Sequence, residues 1–130
     1  MKFIQIFFIL LSFSVFSQST FEKAEKLYAQ KKYNEAEKLF SEFLKSQPNH
    51  TKTIEYLGDI AGHQKDWNTA ITNYKKLKVS YPKNANYWYK YGGALGMKAK
   101  ESNKFKALGM IDEVEESFLT AAKLDSKHIE

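Results

Sequence analysis

Apolar residues recur along this chain in stripes three and four positions apart, separated by short polar turns. Phe21, Ala24, Leu27 and Tyr28 form the first stripe, and Lys31-Lys32 interrupts it. Tyr33, Ala36, Leu39, Phe40, Phe43 and Leu44 form the second. This spacing predicts two amphipathic helices, each with one apolar face. Pro48 ends the second, because proline cannot continue a helix and disfavours helix in the residue before it. The pattern then begins again. Thr53, Ile54, Leu57, Gly58 and Ala61 line a leading helix, and Trp67, Ala70, Ile71, Tyr74 and Leu77 line a trailing one that Pro82 closes. A third leading helix carries Trp88, Tyr91, Gly92 and Leu95.

The repetition has a fixed offset. Pro48 and Pro82, Ala36 and Ala70, Phe40 and Tyr74, Tyr33 and Trp67, and the series Ala24, Gly58, Gly92 are all spaced by 34 residues. A period of this length marks stacked helix pairs. The small residues let helix backbones approach closely, and Phe40, Tyr74, Trp67 and Trp88 fill the space between successive pairs. At helical spacing these rings read as core rather than as a ligand box.

On these residues the chain resembles the tetratricopeptide repeat, W-x2-L-G-x2-Y followed by A-x3-F and P. The second unit matches as Ile54, Leu57, Gly58, Ala61, Ala70, Tyr74 and Pro82; the third opens as Trp88, Tyr91, Gly92 and Leu95. The first is degenerate at Thr20, Lys23, Ala24 and Leu27 and regular from Ala36 onward. The resemblance implies an all-α helical-hairpin solenoid of about three repeats over residues 18–130, with units near 19–48, 49–82 and 83–126.

The third unit departs from the period. Val114 follows Ala70, and Phe118 follows Tyr74, by 44 residues, which places a ten-residue insertion around 101–110. Phe105, Leu108 and Ile111 keep a helical step behind Asn103, a capping residue type. The expectation is a short extra helix or an early start of the trailing one, bent near Gly109. One reading packs Phe105 and Leu108 onto the hairpin. The other makes Lys104, Phe105 and Leu108 a protruding contact element, with Lys98, Lys100 and Lys106 attracting an acidic surface or anionic headgroups.

The N-terminus reads differently. Lys2 precedes an apolar run from Phe3 to Phe16, followed by Ser17 and polar residues. This is the layout of a secretory signal peptide over residues 1–17. It predicts cleavage near Ser17 and export, to a periplasm or beyond the cell.

Composition excludes several function classes. The chain is 43% hydrophobic and 27% charged, as in globular domains. It has no cysteine, which removes disulfides, thiolate metal sites and thiol nucleophiles. The net charge of +5 comes from lysine alone, without the arginine forks that specific phosphate and base recognition favours. Charge is also segregated: ten lysines between Lys65 and Lys106 face only two acids, whereas residues 107–130 carry six acids and two lysines. No catalytic motif, phosphate loop or cofactor signature is present, so the chain reads as a non-enzyme without cofactor or metal.

The resemblance further implies a concave groove lined by the leading helices, here Phe21, Glu25, Tyr28, Glu55, Asp59, His63, Tyr89 and Met97. Its carboxylates suit a basic segment with apolar anchors better than an acidic C-terminus. Glu55, Asp59 and His63 share one stripe at i, i+4 and i+8, but a single helix supplies too few converging ligands for a metal; a solvated face with an Asp59–His63 contact is expected. The first reading is thus a protein- or peptide-binding scaffold with neither nucleic acid nor membrane as partner. The second is an accessory module of an envelope complex touching membrane or polyanion through the lysine-rich middle. Leu119 and Ala122 would normally meet a further helix, so self-association through the last helix is open, as is a longer array.

Overall fold

The computed structural model describes residues 19–126, so the expected leader at 1–17 lies outside the described residues. Among them the chain is helical throughout: α1 (residues 19–29), α2 (Tyr33–Ser46), α3 (Thr51–His63), α4 (Trp67–Ser80), α5 (Ala85–Glu101) and α6 (Lys104–Ser126). They divide into two compact units, 19–53 and 54–126, so the division falls inside α3 rather than at the proline.

In the first unit, Ala24, Ala36 and Phe40 are fully buried and Phe43 nearly so. Phe21 joins them, its ring 5.8 Å from Phe40 and 5.2 Å from Phe43. His50 closes the cluster at 5.0 Å from both Phe21 and Phe43. It lies in the turn between α2 and α3, yet it is half-buried. Its Nδ1 accepts from the Thr53 backbone N–H at 3.3 Å and lies 2.8 Å from Thr53 Oγ1. The imidazole therefore caps the start of α3, satisfying an N–H that has no partner within the helix.

In the second unit, the small residues stand where they must. A Cβ at Gly58 would lie 2.6 Å from the Tyr74 ring, and one at Gly92 would lie 3.0 Å from Ser117 Cβ. Ala70, Tyr74, Leu77, Tyr91 and Leu95 form the core. Lys78 of α4 crosses to α5, its Nζ 4.2 Å from the Trp88 ring centroid and 4.3 Å from that of Tyr91, which the charge can meet favourably.

The turns repeat as closely as the core. Lys31 and Lys65, again at the same offset, have φ of 60° and 59° and close α1 and α3 in the left-handed conformation. Lys32 N–H donates to Leu27 O at 2.9 Å and Asp66 N–H to Ala61 O at 2.8 Å, the long bonds of that motif. Asp66 also caps α4 through Thr69 N–H.

The third hairpin omits this stop. Ala99, at the equivalent position, stays helical, and α5 runs 17 residues where α3 runs 13. Asn103 then caps α6 through Lys106 N–H at 3.0 Å, and α6 continues through Gly109 for 23 residues without a second helix. The insertion is thus shared between both helices, lengthening the hairpin rather than forming a separate element.

Candidate functional site

Leading helices α3 and α5 bring together a polar cluster in the second unit. Glu55 and Asp59 lie one turn apart on α3, and Lys90 of α5 reaches between them. Its Nζ is 2.8 and 2.9 Å from the two Asp59 oxygens and 3.4 Å from Glu55 Oε2. The Tyr74 hydroxyl donates to Asp59 at 2.5 Å, and Asn86 Nδ2 donates to Glu55 at 3.2 Å. The ammonium occupies the place a bound cation would take, while His63 stands at the end of α3, away from it in sequence by one further turn. Among the described residues, no three metal-ligating side chains are grouped to hold an ion. The expected solvated acidic stripe is therefore an ion-paired cluster, because α5 supplies a lysine that periodicity does not flag. Two carboxylates against one ammonium still leave the cluster with one formal negative charge.

Beside it, the start of α5 and the end of α6 flank an open cavity of about 560 Å³ lined by Ala85, Asn86, Tyr89, Phe118, Ala121, Ala122 and Asp125. A larger one, about 710 Å³, adjoins it along Ser80–Asn86 and shares Asp125. Tyr89 is 62% exposed and rests on Phe118 with ring centroids 5.7 Å apart; Met97 is 37% exposed farther along α5. Such a surface offers apolar anchors beside residual negative charge.

The first unit places its expected site residues differently. Phe21 belongs to the aromatic cluster rather than standing free as an anchor, since Phe40 and Phe43 draw its ring inward. Tyr28 packs against Tyr33 at 5.6 Å, and Glu25 is half-exposed. Sequence reasoning missed Asn86, Lys90, Phe118 and Asp125 as members of the second unit's surface. The Asn86–Tyr89 spacing of three is the signal that could have found Asn86.

Two phenols of the second unit are held neutral. Burial raises the Tyr91 hydroxyl above the ordinary tyrosine range, and its hydrogen bond to the Glu113 carboxylate adds to the effect. Burial, then the Glu55 and Tyr81 charges, raise Tyr87. Among the described residues, no helix is long and apolar enough to cross a membrane.

Residues 54–84 match the tetratricopeptide repeat family. No curated protein matches the chain in sequence. Among solved structures, the chain is similar to a thermophilic TPR protein of Thermus thermophilus, with a TM-score of 0.74 and 19% identity. The match covers 85% of this chain and 57% of that one, so the chain spans little more than half its length. The fold is the all-α helical-hairpin fold of tetratricopeptide repeats.

Proposed function

We propose that this protein is a non-catalytic scaffold that holds a protein or peptide on the leading-helix face of its hairpins. Repeat folds of this kind present extended surfaces rather than catalytic clefts. The observation that carries the reading is the pairing of exposed Tyr89 and its Phe118 neighbour with a cavity, beside the net-negative Glu55–Asp59–Lys90 cluster. An aromatic on a cavity rim is a favoured anchor at interfaces. The occupant is an extended or helical segment with an apolar side chain for the cavity and a lysine or arginine for Asp125 and the carboxylates.

Screening the full chain against a peptide library tests this. Selected sequences should combine an apolar anchor with basic residues, and Tyr89→Ala should weaken them by about tenfold or more with unchanged helicity. Selection of acidic termini, or binders indifferent to Tyr89→Ala, would reject it. The signal-like N-terminus supports a location outside the cytoplasm; N-terminal sequencing of the exported protein should read from Gln18.

A further inference from the structure

The lengthened α5–α6 hairpin ends in a tip that the preceding hairpin lacks. Phe105 is 88% exposed and Leu108 is 58% exposed, so they do not pack back onto the hairpin. Lys100, Lys104 and Lys106 are exposed around them and Lys98 is half-buried, with Glu101 the single opposing charge between residues 98 and 108. Phe118 and Ala122 differ in kind. They line the cavity beside Tyr89, and their equivalents in α4, Tyr74 and Lys78, both meet α5 side chains. Phe105 and Leu108 have no equivalent in α4, and repetition of the pattern does not reach them.

We propose that this tip docks on an anionic membrane surface. Two features of the tip favour lipid over an acidic protein. Its basic charges are all lysine, compact ammoniums that suit a diffuse field better than the planar geometry of a defined carboxylate site. Charge also reverses along α6. Asp112, Glu113, Glu115 and Glu116 begin about 9 Å of helix beyond Lys106. An anionic surface would therefore draw the tip down and push the body of α6 away, orienting the hairpin end-on. Phe105 and Leu108 would enter the headgroup boundary while the lysines remain in it. The proposal does not rest on the peptide-binding reading, which uses the opposite end of α5.

The absence of cysteine makes a site-specific test simple. Gly109→Cys has open space around its Cβ and can carry an environment-sensitive fluorophore on the full chain; Glu116→Cys provides the reference label. With vesicles made of phosphatidylcholine and phosphatidylglycerol in a ratio of about seven to three, the label at 109 should shift to the blue and brighten. The label at 116 should not, and salt at about 0.5 M should reverse the change. Replacing the four lysines by glutamine should weaken the response by roughly a thousandfold. Phe105→Ala with Leu108→Ala should abolish the blue shift with helicity intact. The proposal is overturned if the label at 109 stays in water, responds equally to neutral vesicles, or ignores the Phe105 and Leu108 substitutions, which would assign binding to the apolar N-terminus. A response to polyglutamate but not to vesicles would assign the tip to an acidic protein instead.

Discussion

Single positions in this molecule are decided by what lies within an atom's width. Gly58 leaves no room for a methyl group, since Tyr74 is buried and tethered through its hydroxyl to Asp59. Gly58→Ala gains helix propensity but forces that ring aside, so it should destabilise by about 1–2 kcal/mol. Gly109 has nothing within 4 Å of its virtual Cβ and sits inside a continuous helix, so Gly109→Ala should stabilise by about 0.5–1 kcal/mol. Urea unfolding of the two variants checks both signs; equal shifts would discard the steric account. Tyr91 supplies a pH signature. Its hydroxyl titrates above the ordinary value of 10.0 when folded, so the folded state keeps a proton that the unfolded chain releases. Its contribution to stability is therefore complete below about pH 10 and declines as pH rises above it. Tyr91→Phe should flatten that alkaline decline relative to wild type.

Helices here are bounded by turn chemistry more than by propensity. Lys31 and Lys65 hold a left-handed conformation that glycine adopts without a Cβ penalty, so Lys65→Gly should raise stability by about 0.5 kcal/mol, read from the thermal midpoint. A fall would show that the lysine stem contributes packing. The helix phases, the small and aromatic positions and the proline stops were all legible in the sequence, because each rests on spacing within one element. The boundary consequences of Ala99 were not. Both earlier stops use lysine, a good helix former, so nothing in residue type distinguishes the place where α5 runs on. The site was legible only in part for a related reason. Asp59 meets Tyr74 15 residues away and Lys90 31 residues away, and a link between different helices leaves no periodic trace. Phe21 lies on the groove-facing stripe of an ideal repeat, and here its ring also joins an aromatic cluster that its own trailing helix builds.

Across the molecule, stability in a repeat fold is a sum of local terms and nearest-neighbour interfaces. The two compact units give that sum a natural division. Phe40 is fully buried at the centre of the first, and Phe40→Ala should cost about 3–5 kcal/mol through lost transfer energy and the cavity left behind. A single cooperative domain would spread that loss over every amide that opens only on global unfolding. A chain that opens unit by unit would not. Hydrogen exchange should therefore show protection collapsing in α1 and α2 of the Phe40→Ala variant. Amides in the middle of α5, flanked by buried Tyr91 and Leu95, should keep most of theirs. A uniform drop across every described helix would mean that the units unfold together, and that a contact made in the first unit is felt as strongly in the second as in its own.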